Sequence, residues 1–365
     1  MRISELWLAD FRSYTSLELT FPPGLTAIVG RNGQGKTNIL EAVGWLASMR
    51  SFRGAANDSL VHDGASVAIA RAEVIAGDRP TRIEAEISRA GRSRVLVNGH
   101  RLARARDLVG HLRVTVFAPD DLALVKGPPV VRREWIDDVL VAVAPRTDRL
   151  RTEYERVLRQ RNALLKQAAG RLSADIEATL VVWDHKLATV GDALATERAL
   201  AVDALVGLIA EAYRCIAAGG SAHAAVAVRY DAPWRERGLA DALAAGRRDD
   251  IRRATTTVGP HRDDVVFSVD RLAVRTHRSQ GEQRSFALAL RLASHRHVEA
   301  MTATTPVLIL DDVFSELDEH RSRALLAELP AVQTLLTSAV GVPAGIRPEL
   351  VIEISGGHAV PRSVR

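Results

Sequence analysis

Gly30-Arg31-Asn32-Gly33-Gln34-Gly35-Lys36-Thr37 decides how the rest of the chain is read. It fits G-x-x-x-x-G-K-[ST], in which each required residue type has a physical task. Gly30, Gly33 and Gly35 allow backbone N–H groups to face phosphate oxygens, and Arg31, Asn32 and Gln34 complete the cradle. Lys36 neutralises the β and γ oxygens of a nucleoside triphosphate, and the Thr37 hydroxyl is a ligand for Mg²⁺. At average residue frequencies a chance match in a chain of this length has a probability on the order of 1%. Only four of the 49 basic residues are lysines (Lys36, Lys126, Lys166 and Lys186), so composition does not explain a lysine inside a glycine loop. The flanks agree. Leu25 to Val29 is a short apolar run, and Ile39, Leu40, Val43 and Leu46 recur at helical spacing between Asn38 and Met49.

Two further stretches supply what such a loop needs. Val307 to Leu310 reads as a buried strand ending in Asp311 and Asp312, the arrangement that holds Mg²⁺ and places an acid beside the γ-phosphate. Asp311 is therefore expected to share the metal with Thr37, and Asp312 is the expected catalytic acid alongside Lys36. Ser279-Gln280-Gly281-Glu282-Gln283 opens a helix, so that a hydroxyl and helix-start N–H groups form a second anion site. Ser279, Gly281 and Gln283 are its candidate residues.

Composition bounds the rest. The 365 residues suggest about two domains, with 47% hydrophobic and 25% charged residues as in a globular protein. Cys215 is the only cysteine, which excludes an internal disulfide and fits a reducing, cytoplasmic setting; its apolar surroundings predict a core position. The N-terminus lacks the apolar stretch of a secretory signal, and no apolar run approaches the ~18 residues that span a bilayer. A formal charge of +5 permits nucleic-acid binding without requiring it. Six arginines, Arg89, Arg92, Arg94, Arg101, Arg104 and Arg106, fall in 18 residues without an acid, which marks a candidate phosphate-contacting face for DNA.

Residues 2–8 and 16–21 alternate as strands, and three more alternating runs follow between Val67 and Val97, ended by the Asn98-Gly99 turn: an antiparallel meander. From about Val130 to Ala218 turn signals almost vanish, predicting two or more long helices; one of 25 to 30 residues would make an arm of roughly 40 Å. Strand-like runs return at Ala224 to Tyr230 and Asp264 to Val269. The expected domains are a discontinuous ATPase head, 1–125 and 255–365, split by a mainly helical insertion, 126–254. Gly259-Pro260-His261-Arg262-Asp263-Asp264 tempts a metal assignment, but Gly-Pro followed by polar residues is first a turn, and a structural role is expected.

The order glycine loop, Ser-x-Gly-Glu, apolar strand with two acids, then Ser315-Glu-Leu-Asp318 resembles the Walker A, signature, Walker B and D-loop of ABC/SMC-type ATPases. Within that superfamily the chain resembles the RecF family, on Leu8-Ala-Asp-Phe11-Arg12-Ser-Tyr14, Ser51-Phe52-Arg53, Val97-Asn98-Gly99, Phe117 to Leu122, Gly127 to Arg133, Gln160 to Leu165 and Gly259 to Asp264. These segments run from residue 8 to residue 318, leaving the last 45 residues poorly covered. The resemblance implies an α/β fold: an ABC/SMC-type head with an antiparallel β subdomain, a P-loop core and an inserted helical arm. It also implies an ATP-driven homodimer in which the signature of one chain closes on ATP held by the other. DNA binding at duplexes or single/double-strand junctions, recombinational and replication-gap repair, and loading of the RecA recombinase with RecO and RecR are implied as well. Asp312 stands where transporter ATPases carry Glu, and Thr337-Ser338 where they carry a switch histidine, so a slow ATPase working as a switch is expected. The alternative is the ATPase subunit of a transporter, which would need a membrane partner and usually has that histidine. No membrane association is expected.

Overall fold

The structure, a computed structural model, describes residues 1–77, 79–168, 173–217 and 224–363. The chain begins with β1 (Arg2–Phe11) and β2 (Tyr14–Thr20), then β3 (Leu25–Val29), which runs through the glycine loop into α1 (Lys36–Ser48). A short α2 (Asn57–Leu60) precedes four antiparallel strands, β4 (Val67–Ala76), β5 (Arg79–Ser88), β6 (Arg94–Val97) and β7 (His100–Arg101). Together with β1 and β2 they form a six-stranded sheet in the order β2-β1-β4-β5-β6-β7. The period-2 pattern is the cause: Ala68, Ala70, Ala72 and Val74 of β4 and Ile83, Ala85 and Ile87 of β5 are buried, alternating with more exposed neighbours. The expected meander is present, and Asn98 (φ 50°) and Gly99 (φ 78°) make its last turn, the left-handed pair that a two-residue hairpin requires.

β8 (Val114–Phe117) leaves this sheet for a second one. Its order is β15-β14-β3-β13-β12-β8, built with β12 (Val307–Asp311), β13 (Thr334–Ser338), β14 (Leu350–Ser355) and β15 (His358–Ser363). All its pairings are parallel except β14 with β15. β12 and β13 are buried along their whole length, as parallel strands covered on both faces are. The register places Asp311 opposite Thr337 and Ser338 opposite Val29, so the glycine loop, the two acids and the end of β13 meet at one edge. That is where open α/β sheets bind ligands.

Between β8 and β12 lie α3 (Leu122–Lys126), α4 (Pro129–Val143), α5 (Thr147–Ala168), α6 (Ala174–Ile216), β9 (Val226–Asp231), α7 (Leu239–Arg253), β10 (Asp264–Val269), β11 (Leu272–Ala273), α8 (Val274–His277) and α9 (Gln280–Thr302); α10 (Glu319–Glu328) follows β12. At 43 residues α6 is longer than expected and rises roughly 65 Å. The chain divides into one unit of residues 1–122, 211–223 and 279–365 and a second of 123–210 and 224–278. Beside the expected insertion of 126–254, the second unit also takes in 255–278, and the first takes in the end of α6 from Glu211. β10 pairs with β9, with Val265 opposite Tyr230, which draws 255–278 into the second unit. Tyr213 packs on Phe286 at 5.5 Å, which draws the end of α6 into the first. Cys215 is exposed rather than in the core: Ala212, Tyr213 and Ile216 share the buried face of α6, and Cys215 lies off it. Among the described residues no helix is long and apolar enough to cross a membrane.

Candidate functional site

The glycine loop closes on itself and on its neighbours. Gly35 sits at φ 104°, and a Cβ there would lie 2.7 Å from Ser13 Oγ and 2.9 Å from the Tyr14 hydroxyl, so both backbone and space demand glycine. Tyr14, whose buried hydroxyl is pushed up to about 12, donates to the Gly35 carbonyl (3.1 Å). Gly30 is pressed against the Ile354 carbonyl, and Gln34 Oε1 accepts from Gly356 N–H (2.8 Å), so the β14–β15 hairpin buttresses the loop from behind. Lys36 Nζ donates back to the Arg31 carbonyl at 3.0 Å. Burial pushes the Lys36 ammonium below its ordinary value, opposed by the charges of Asp312 and Asp311.

The acids are organised by two threonines. Thr37 Oγ1 and Thr337 Oγ1 both donate to Asp311 Oδ1, at 2.8 and 2.7 Å. Thr337 Oγ1 also accepts from Asp312 N–H (2.9 Å), which sets the left-handed backbone of Asp312 (φ 49°). Burial pushes the Asp311 carboxyl up against the pull of those two hydroxyls, and Asp312 adds to the push. A buried acid next to another acid and a threonine hydroxyl is a donor set that a divalent cation would stabilise. Among the described residues no group of three or more His, Cys, Asp or Glu could hold a metal, so a cation here would take its remaining ligands from phosphates and water.

A cavity of about 340 Å³ opens over this edge, lined by Asn32, Gly33, Gly35, Lys36, Thr37 and Asp312 of the expected set. Asn38, Thr337 and Arg53 also line it; the sequence marked Thr337 only as standing at the place of a switch histidine and gave Asn38 and Arg53 no role. Arg53 comes from the Ser51-Phe52-Arg53 stretch, whose place beside the loop has no periodic signal in the sequence. Gly30, Arg31, Gln34 and Asp311 do not line the cavity but hold its walls. Ser279, Gly281 and Gln283 lie elsewhere in the same unit. Ser279 caps α9 in a reciprocal box, its hydroxyl accepting from Glu282 N–H (3.3 Å) while its own N–H donates to Glu282 Oε2 (2.9 Å). A Cβ on Gly281 would fall 2.8 Å from the Arg321 guanidinium, and Gln283 is buried. Arg284 pairs with Glu316, which ties the start of α9 to the Ser315–Asp318 turn.

The six arginines separate once their partners are known. Arg89 is exposed, but its Nε and Nη2 donate to three backbone carbonyls, Ala65 (3.0 Å), Val61 (3.2 Å) and His62 (2.7 Å), so it clamps a loop. Arg94 shares Glu86 at 3.5 Å, and Arg106 is half-buried. Arg92, Arg101 and Arg104 are exposed around the β6–β7 hairpin. The His261 to Asp264 cluster is structural. Asp263 accepts from Tyr230 and Trp234 (2.6 Å each), Arg132 grips Asp264 bidentately (2.7 and 2.9 Å), and His261 lies between the Tyr154 hydroxyl (2.6 Å) and the Thr256 carbonyl (3.0 Å).

The family model for the RecF/RecN/SMC N-terminal domain matches residues 2–337. A DNA replication and repair protein RecF from Frankia alni is 46% identical over 359 residues, covering 93% of this chain and 94% of the relative; its counterpart from Streptomyces avermitilis is 43% identical, covering 95% and 97%. The chain belongs to the RecF family. A solved RecF with ATP, described as a recombination mediator of the RecFOR pathway, is 27% identical with a TM-score of 0.91, covering 99% of this chain and 97% of that one. An SMC head at 17% identity and a TM-score of 0.59 shares the fold. The α/β RecF and SMC head fold expected from the motifs is thus the one present, and these comparisons give no support to a transporter subunit.

Proposed function

We propose that this protein is an ATP-gated DNA-binding protein of recombinational and replication-gap repair. The carrying observation is the cavity in which Lys36, Thr37 and Asp312 converge while Ser279 and Gly281 remain outside it. In this reading ATP sits over the glycine loop, with Lys36 and Arg53 directed to its phosphates. Thr37 and Asp311 hold Mg²⁺, which when bound supplies charge neutralisation at the phosphate oxygens. Asp312 orients the attacking water. Because the signature residues do not line their own chain's cavity, they are available to close on ATP held by a second copy, completing a site that one chain leaves half built. Thr337, with no titratable nitrogen, stands where a histidine would speed turnover, which favours slow hydrolysis that releases DNA. Arg92, Arg94, Arg101 and Arg104 supply phosphate contacts to duplex or junction DNA, with Arg106 contributing less. RecO and RecR are the partners in this reading, and the chain works in the cytoplasm.

Sedimentation and duplex-DNA binding measured without nucleotide, with ATP and with ADP test the gate: dimer and tight binding are expected with ATP alone. Ser279→Arg should abolish the dimer while sparing ATP binding by the monomer. Mixing it with Lys36→Ala should restore one sound composite site per mixed dimer and part of the ATPase. A mixture as inactive as its folded parts would remove the in-trans arrangement.

A further inference from the structure

Glu41 is the only acid of α1, the helix that carries Lys36 and Thr37, and it is fully buried. Arg12 satisfies it bidentately, with Nε to Oε2 and Nη2 to Oε1 both at 2.8 Å, and Ser51 Oγ donates to Oε1 at 2.5 Å. Arg53 stands off. Its Nη1 is 3.9 Å from Glu41 Oε2, beyond hydrogen-bond range, and its side chain is 45% exposed and lines the nucleotide cavity. One buried carboxylate therefore lies between two guanidiniums, one fully engaged and one not.

Arg12 is held in place for this by more than its ion pair. Its backbone is left-handed (φ 54°), a conformation an L-residue adopts at a cost. Its N–H donates to the Leu60 carbonyl (2.8 Å), its carbonyl meets His62 Nδ1 (2.6 Å), and its Nη1 donates to the Ser59 carbonyl (2.8 Å). His62, which meets the Arg12 carbonyl, is also one of the three residues whose carbonyls Arg89 clamps.

We propose that Arg12 is a positioning residue of the nucleotide cavity: by saturating the Glu41 carboxylate it keeps the Arg53 guanidinium available to phosphate. Attraction between opposite charges rises steeply as they close and lose water, so a buried carboxylate without Arg12 would draw Arg53 inward and withdraw it from the cavity. Arg12 touches no part of the cavity and acts through Glu41. The proposal rests on the reading that the cavity binds ATP.

Binding of a non-hydrolysable ATP analogue with Mg²⁺ to the purified full chain, measured by calorimetry, tests it. Arg12→Gln is expected to weaken binding about 10-fold, and Arg12→Gln/Glu41→Gln to recover to within about 3-fold of the original chain, because no carboxylate remains to capture Arg53. In an Arg53→Ala background, itself weaker, Arg12→Gln should change affinity less than about 2-fold. A bracing role for Arg12 moves neither the rescue nor this masking. A double variant no tighter than Arg12→Gln, or a full Arg12 effect without Arg53, overturns the proposal. Should Arg12→Gln not fold, Glu41→Gln alone decides: affinity equal to or above the original chain supports the competition, and a loss of about 10-fold overturns it. An original chain that binds no analogue would instead remove the ATP reading and the proposal with it.

Discussion

Arg161 of the second unit and Arg53 of the first are both arginines beside carboxylates, and their surroundings set them to different tasks. Arg161 is wholly buried, bonded to Asp184 (2.6 Å), Asp250 (2.7 Å) and Thr256 (2.9 Å), and Asp250 in turn accepts from Thr257. Arg198 and Asp137 form a similar buried bidentate pair at 2.7 and 2.8 Å. Such groups have exchanged water for one another, and what is left, the unbonded Nη2 of Arg161, is buried out of a ligand's reach. Arg53 keeps a long contact to Glu41 and an exposed face toward the cavity. Charged residues that resemble a site in sequence, as His261 to Asp264 do, are distinguished from those that form one by this degree of saturation.

The largest effect tests the saturated side. Arg161→Leu leaves Asp184 and Asp250 buried with fewer partners and should cost about 3–5 kcal/mol in chemical denaturation while leaving ATP affinity within about 2-fold. A small stability loss would mean that the network is not closed. On the other side, Asp312→Asn should slow ATP hydrolysis at least about 100-fold with binding retained, since an amide neither takes up a proton nor orients water as a carboxylate does. Loss of binding instead would exchange the roles of Asp311 and Asp312. Lys36→Ala should weaken ATP binding by about 1.5–3 kcal/mol without a matching fall in stability, read by calorimetry beside thermal melting.

The same contrast divides the arginine-rich hairpin. Replacing Arg92, Arg101 and Arg104 with Ala should lower the log–log salt slope of DNA binding by about 0.9 each, whereas Arg89→Ala should lower it less, because its Nε and Nη2 are engaged with Val61, His62 and Ala65. The smallest effect comes from one histidine in each unit, His295 buried and His261 half-buried. Burial lowers His295 and His261 to about 4. The unfolded chain, with histidines near 6.5, then binds more protons between those values, so stability is full above about pH 6.5 and falls as pH drops toward 4. Urea midpoints at pH 7 and pH 5 measure this, and His295→Gln should flatten the difference.

Much of the first unit was legible because its signals are local. The loop 30–37 lies between an apolar run and a helical period, Asn98-Gly99 announces its turn, and Ser279 with Glu282 announces a helix cap. The long helices were legible from the absence of turn residues. Cys215 was misplaced because an apolar stretch does not say which face a single position takes on a helix; that was decided by Tyr213 meeting Phe286. Thr337 of β13 was legible only as the place of a switch histidine, and β14 and β15, which brace the loop, carried no motif.

The sequence by itself carried the local pieces of the site: a glycine loop at a helix start, two acids ending a buried strand and a capped helix, each encoded within a few adjacent residues whose geometry follows from backbone preference. Only the tertiary structure decided which charges are spent and which remain available. Arg12 reaches Glu41 across 29 residues, Arg89 grips carbonyls at least 24 residues away, and Asp311 receives Thr37 from a distance of 274. Partners so far apart in the chain leave no periodic trace, since they are joined by strand pairing and burial, and it is burial that turns a nearby carboxylate from a solvated surface charge into a counterion that a guanidinium must either satisfy or escape.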